Sequence, residues 1–360
     1  MSSVHLAVDG WSLIERPWSA EALHLAEWLG AMAAADPDLH LSLLHPEGQL
    51  PLLPEGIHLQ LAAVKLSAWG ALRYEQRDLP RLARAVGADL LFIPRPSAPL
   101  ASPVPVAALM HGSPGRRRAS ALERLRRALG AAGAAGAVCR LVLADLPAAG
   151  PGARVAASVP PFVGAGFRPP GGSGASAPER SGLVPGYVLC CGLQAEQLPL
   201  LLAAWTWVEG SVGDAAQLVL VGLDPSAEQG ARAQAKELGI ATSLKVLPPA
   251  AQADLPDLYR GATAYLSPGP VSNGQPLRWA LSCGLPVAGL NSPESDSILG
   301  EAAYLVPPGE ARRLGAACLT LLVEEQVATA LRQKGLGRAT AYHGRGPLEA
   351  WIRVFRSAAS

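Results

Sequence analysis

The stretch Leu255–Val306 reads LPDLYRGATAYLSPGPVSNGQPLRWALSCGLPVAGLNSPESDSILGEAAYLV. Leu255–Arg260 has the pattern of a short helix and Ala264–Leu266 that of a buried strand. The turn Ser272-Asn273-Gly274-Gln275-Pro276 follows, then a helix over Leu277–Cys283 closed by Gly284. Pro286–Leu290 and Tyr304–Val306 read as two more strands. Strand, turn, helix and strand in this order make a parallel βαβ unit. A glycine-rich turn that opens a helix presents backbone N–H groups and the positive end of the helix dipole, which suits a diphosphate. An ordinary capped helix start has the same look, so the turn alone leaves both readings open.

The alternation extends both ways from this stretch. Upstream lie strands at Tyr187–Cys191, Gln217–Val221 and Leu244–Leu247, with helices at Leu198–Val208 and Ala227–Leu238. Gly192, just after the first of these strands, is a second candidate phosphate turn. Ala311–Lys334 is helical, as one helix or two, with Gly335 as its stop. Pro347–Ser357 is an amphipathic helix with Leu348, Trp351, Ile352 and Phe355 on one side. The first half repeats the pattern. Strands are expected at Val4–Val8, Leu41–Leu44, Ile57–Leu61, Leu90–Ile93, Val104–Met110 and Leu141–Leu143. Helices are expected at Ala20–Ala35, Leu79–Val86 and Arg116–Leu129. Between the halves, PPGGSGASAPERSGLVPG (Pro169–Gly186) is too rich in Pro, Gly and Ser to order itself and reads as a linker.

The fold class is therefore α/β, with two Rossmann-like, doubly wound domains. The expected boundaries are 1–170 for the N-terminal domain, 171–186 for the linker, 187–345 for the C-terminal domain and 346–360 for a terminal helix packing back on the first. Open parallel sheets bind ligands outside the carboxyl ends of their strands, and two such domains facing each other enclose a cleft. A chain of 360 residues suits two cores rather than one. Hydrophobic residues make up 49% and charged residues 16%, which argues against disorder, and a net charge of +1 gives no field to recruit nucleic acid. No signal peptide or membrane-length apolar run is present, and the five cysteines show no metal or disulfide spacing. A cytoplasmic protein with buried thiols and no metal is expected.

The quoted stretch resembles the family 4 (group 1) glycosyltransferases of the GT-B fold, retaining enzymes that use nucleotide sugars. Tyr259-Arg260-Gly261-Ala262, Pro268, Gly274, Pro276, Ala280, Gly284, Pro286-Val287, Asn291, Gly300 and Ala302-Ala303 stand in register with the family pattern. In the first half the likeness is weaker, at Ala107–His111 and Ala153–Pro169. The resemblance implies a C-terminal nucleotide-sugar domain, an N-terminal acceptor domain, and a donor site at Gly192, Ser272, Asn273, Gly274, Gln275 and Pro276. It implies His111 as a contact to the donor sugar or acceptor; a structural histidine at a strand end is the competing reading.

The departures are as specific as the matches. The family's Glu-x7-Glu pair, which serves the donor sugar and the nucleotide ribose, is Val271 and Trp279 here. The family's basic pair after the first glycine turn is replaced by Leu193-Gln194-Ala195-Glu196-Gln197. The later Pro-Glu reads Asp296-Ser297, and the first domain's glycine-rich loop reads Glu15-Arg16-Pro17-Trp18-Ser19. A charge-assisted hydrogen bond contributes roughly 1.5–3 kcal/mol, so losing two carboxylates and two cations weakens donor binding by orders of magnitude unless other groups compensate. Arg260 has the pattern of a structural or solvated arginine; Arg278 faces either the cleft or solvent. The basic helix Arg116–Arg127 leaves open a weak contact with the inner membrane face, against the plainer reading of a solvated surface. Two functions stay in play: a hexosyltransferase-type enzyme with an altered donor site, or an inactive pseudo-glycosyltransferase that binds or scaffolds a protein partner.

Overall fold

The computed structural model describes residues 3–51, 53, 55–110, 121–135, 139–144, 157–169, 182–183, 186–213, 216–247, 255–269 and 273–359. The chain divides into two compact units. Unit 1 comprises Met1–Pro17, Glu21–Phe162 and Gly344–Ser360; unit 2 comprises Trp18–Ala20 and Val163–His343. The first boundary therefore falls before position 170, because Val163–Arg168 packs with the second unit. Most of the expected linker, like Val271, Ser272, His111 and Arg116–Arg118, lies outside the described residues.

Unit 1 runs β1 (Val4–Asp9), α1 (Trp11–Glu15), α2 (Ala20–Ala35), β2 (Leu39–His45), β3 (Ile57–Leu61), α3 (Ala68–Arg73), a π-helical turn over Tyr74–Asp78, α4 (Leu79–Ala85), β4 (Leu90–Ile93), β5 (Val106–Met110), α5 (Ala121–Ala135), β6 (Cys139–Ala144) and β7 (Ala157–Ser158). Its sheet is parallel, in the order β3-β2-β1-β4-β5-β6-β7. Unit 2 runs β8 (Val188–Cys191), α6 (Leu198–Val212), β9 (Leu218–Val221), α7 (Pro225–Glu237), β10 (Leu244–Val246), α8 (Leu255–Gly261), β11 (Ala264–Ser267), α9 (Gln275–Ser282), β12 (Val287–Leu290), α10 (Pro293–Leu299), β13 (Ala303–Val306), α11 (Ala311–Val323) and α12 (Glu325–Ala339). Its sheet order, β10-β9-β8-β11-β12-β13, repeats the first six positions of unit 1. Every residue of β4, β8, β9, β11 and β12 is buried, as expected of parallel strands covered by helices on both faces. In each sheet the order reverses between the first and fourth strands, so the crevice at the carboxyl ends of β8 and β11 is where unit 2 can take a ligand.

The last helix, α13 (Arg345–Ala359), belongs to unit 1. Leu348, Trp351, Ile352 and Phe355 join the core around Trp28 and Phe92. The Trp351 indole donates to the Pro160 carbonyl at 3.0 Å, and Arg356 donates to Asp36 at 2.7 Å. No single helix among the described residues is long and apolar enough to cross a membrane.

Gly335, expected as a helix stop, lies inside a helix, as do Gly130 and Gly133. Gly335 sits within α12, where a Cβ would come 3.0 Å from Leu281 of α9, so its bareness serves close helix packing. Likewise α5 runs through Gly130 and Gly133 to Ala135. A Cβ on Gly130 would stand 1.9 Å from the Ser97 hydroxyl, and one on Gly133 would stand 2.1 Å from the Ala98 carbonyl.

That close approach brings α5 onto a buried charged network at the carboxyl ends of β1 and β4. Arg95 donates from Nε to Asp9 at 2.8 Å and from Nη1 to Glu75 at 2.6 Å. Arg126 of α5 donates to the same Glu75 oxygen at 2.9 Å, and Ser97 donates to the other at 2.7 Å. Asp9 and Glu75 are fully buried. Burial opposes the charge on Arg95, but Asp9 and Glu75 outweigh it and raise its proton affinity. Arg126 also grips Glu123, whose carboxyl is held low chiefly by that hydrogen bond. The basic face expected on this helix is thus partly turned inward: Arg126 serves the network, and Arg127 pairs with Glu123 at 3.1 Å.

His5 on β1 stands opposite His40 on β2 and shares a 2.8 Å hydrogen bond with Ser42. Burial, then His40 and His58, lower its pKa from the ordinary 6.5, while Asp89 opposes them. A histidine whose folded pKa lies below its unfolded one contributes stability that is present above the unfolded value and is lost as pH falls through the folded value. The unfolding midpoint should therefore hold above about pH 6.5 and decline below it. In His5→Gln the part of that decline due to this residue should vanish. Denaturant titrations at a series of pH values measure it, and an unchanged slope in the variant would contradict the assignment.

Candidate functional site

The candidate site is built where β11 ends and α9 begins. Ser267, the last residue of β11, is buried and donates to the Gly269 carbonyl at 3.1 Å. Gly269 lies under the Gln197 side chain; a Cβ there would stand 2.7 Å from Gln197 Nε2. Gly274 caps α9 at φ +65°, the left-handed region that suits glycine, and a Cβ would meet Ile298 at 2.3 Å. Pro276 occupies the helix's first turn, where a missing N–H does no harm.

Asn273 is 1% exposed. Its Oδ1 accepts the Gln275 N–H at 3.1 Å, which fixes the orientation of the amide, since only oxygen can accept. Nδ2 is left buried without a hydrogen-bond partner. A buried unpaired donor is costly, by about 1–3 kcal/mol, so this group at a helix N-terminus marks a place for an acceptor. Arg278 does not face solvent: it is buried, with Nη1 donating to the Asn273 carbonyl at 3.0 Å.

Trp279 goes elsewhere. It is 1% exposed and stacks on Phe167, with centroids 4.8 Å apart and planes 8° off parallel. Tyr259 meets its edge at 6.0 Å and stacks in turn on Tyr265 at 5.8 Å. The residue at the second motif carboxylate is thus a core side chain of unit 2. Nearby, the Tyr265 hydroxyl donates to the Cys191 carbonyl at 2.8 Å and accepts the Cys191 N–H at 3.2 Å. Burial pushes the Cys191 thiol up to about 12, so it offers no thiolate at neutral pH. Cys190, Cys191, Cys283 and Cys318 are all free and buried.

The second expected phosphate turn follows β8. Gly192 takes the left-handed conformation at φ +73°, but its N–H donates to the Val221 carbonyl at 3.3 Å. The Gln194 N–H donates to the Gln197 side chain at 2.9 Å, forming a reciprocal cap in place of the family's two cations. Arg260 is structural: it donates to the Gly166 carbonyl at 2.5 Å and pairs with Asp257. Asp296 is exposed on α10. The structure therefore places Asn273, Gly274, Gln275 and Pro276 together at one helix start and sets Gly192 on a neighbouring turn. The sequence reading missed the Phe167–Trp279 stack. Its only signal was two aromatic residues far apart in the chain.

Residues 185–324 match the family model described as glycosyl transferases group 1. Over the whole chain the fold is that of solved GT-B glycosyltransferases. Sucrose-phosphate synthase from Thermosynechococcus elongatus aligns over 99% of this chain and 100% of its own, at 14% identity and a TM-score of 0.75. WaaG, a glycosyltransferase involved in lipopolysaccharide biosynthesis, aligns over 98% and 99% at 13% identity and 0.74. Anabaena HepE, solved with UDP and glucose, aligns over 98% and 99% at 16% identity and 0.72. No curated protein sequence matches this one. The chain is therefore GT-B in fold, and a segment of its second unit matches the group 1 model.

Proposed function

We propose that unit 2 binds the diphosphate of a nucleotide sugar at Asn273-Gly274-Gln275, and that the chain is a pseudo-glycosyltransferase whose sugar-transfer chemistry is residual or lost. The observation that carries the binding half is the buried, partnerless Nδ2 of Asn273 beside the glycine-capped start of α9. A phosphate oxygen would satisfy that amide and lie at the positive end of the helix. UDP is the first nucleotide to try, because similar folds have been solved with it. The other half rests on Trp279. A ring locked between Phe167 and Tyr259 cannot accept a hydrogen bond from ribose hydroxyls. The role left to such a protein is that of a binding or scaffold subunit, with an intact transferase as the kind of partner it would serve.

The alternative, an active retaining enzyme, draws on the same Asn273 amide, since backbone and amide donors can stabilise a leaving diphosphate without side-chain acids. Incubation with UDP-glucose separates the two. The binding reading expects the donor to be recovered intact, with no UDP released above a protein-free blank. Repeated turnover, many equivalents of UDP per protein, would overturn it in favour of the enzyme.

A further inference from the structure

Among the described residues β3 has a strand neighbour on one side only, β2, and its register with β2 runs unbroken from Ile57 to Leu61. The Ala62 N–H donates to the His45 carbonyl of β2 at 2.8 Å. Backbone groups alternate in direction along a strand. Those of His58 and Gln60 therefore also face β2, and the N–H and C=O groups of Ile57, Leu59 and Leu61 face away from it. Exposed edges usually carry a lysine, a proline or a bulge that discourages pairing, and β3 has none of these. Its surroundings are apolar instead. Leu59, Leu61, Leu66 and Trp69 are 44–70% exposed, and Trp69 is the most exposed large apolar side chain among the described residues. The first turn of α3 holds Trp69 close to the strand end, since a Cβ on Gly70 would stand 2.1 Å from the Lys65 carbonyl.

The charges at the two ends of this edge differ. Glu55 precedes β3 and Lys65 follows it, both exposed. A second copy laid parallel would set acid beside acid and base beside base. Laid antiparallel, about a two-fold axis, it sets Glu55 of each copy beside Lys65 of the other. The same axis, placed at Leu59, faces Leu59 with its counterpart and Ile57 with Leu61, so that every outward N–H and C=O of β3 gains a partner. An unrelated protein would gain nothing from this self-complementarity. We propose that β3 is a self-association surface, on which a second copy of this chain pairs antiparallel through Leu59 and joins the two unit 1 sheets into one. Leu66 and Trp69 of each copy then cover the start of the other's strand and enlarge an interface that the strand residues alone would leave small. The proposal concerns unit 1 and does not depend on the reading of unit 2.

Sedimentation velocity of the full-length chain tests this. The unmodified protein should form dimers with a dissociation constant of about 10–100 µM, the weak binding expected of a small interface. Leu59→Lys sets a charge at the centre of the pairing and, at an exposed position, leaves the fold of each copy intact. It should weaken the dimer by about tenfold or more. Glu55→Lys and Lys65→Glu should each weaken it by about fivefold, because each turns two symmetry-related attractions into repulsions. The double variant, with the charges exchanged, should regain the unmodified affinity. That exchange decides the question even if Leu59→Lys does not fold. A protein that stays monomeric across this concentration range, a dimer indifferent to Leu59→Lys, or a double variant no tighter than the single ones would overturn the proposal.

Discussion

Trp279→Ala is expected to destabilise unit 2 by about 3–5 kcal/mol, the range for deleting a fully buried tryptophan, with the lost aromatic contacts placing it toward the upper end. The ring is 1% exposed and holds Phe167 and Tyr259 together. Trp279→Phe, which keeps most of the stack, should lose much less. The more telling variant is Trp279→Glu, which restores the residue type the family carries at this position. If the position still faced a ribose, the carboxylate would be tolerated and donor affinity would rise. In the structure described here it would be a buried charge among aromatic rings, and unit 2 should fail to fold. Denaturant unfolding of the three variants, followed by circular dichroism, measures the order. A stable Trp279→Glu protein would contradict the placement of this ring.

The second large effect belongs to unit 1. Glu75→Gln should cost about 3–5 kcal/mol, because it removes one partner of a buried ionic network. Glu75 is fully buried and accepts from Arg95, Arg126 and Ser97. In the variant an amide NH₂ would meet either the two guanidinium groups or the Ser97 hydroxyl. The unfolding temperature should fall by roughly 10 °C for a unit of this size. A shift within ordinary surface-substitution range, under about 0.5 kcal/mol, would show that solvent reaches the network and that α5 is not pinned through it.

The sequence carried the fold well and the site poorly, for physical reasons that particular residues make plain. Runs such as Leu90–Ile93 and Val188–Cys191 announce buried parallel strands through composition alone, and the repeated sheet order follows from their alternation with helices. Gly274 and Pro276 were legible because a left-handed cap and a first-turn proline have strong residue preferences. Gly335 misled because glycine ends a helix and permits close packing with equal ease, and only the neighbour, Leu281, decides. The π-helical turn at Tyr74–Asp78 left no periodic trace, although it sits in the segment that supplies Tyr74 and Glu75 to the core. Trp279 could be assigned to a motif position but not to a destination, because its partner Phe167 comes from the segment preceding the linker. Arg278 was undecided for the same reason: its hydrogen bond runs to a backbone carbonyl, which no residue letter records.

On the proposed function, unit 2 holds a diphosphate at Asn273 and the start of α9 while Trp279 is packed in its core. Calorimetric titration of UDP into the unmodified protein and into Asn273→Asp tests this most directly. The aspartate keeps an oxygen for the Gln275 N–H and replaces the free donor with an anion. Measurable binding to the unmodified protein, weakened by about tenfold or more in Asn273→Asp, is the predicted result. No heat with UDP, GDP or ADP, or equal affinity in both proteins, would contradict it.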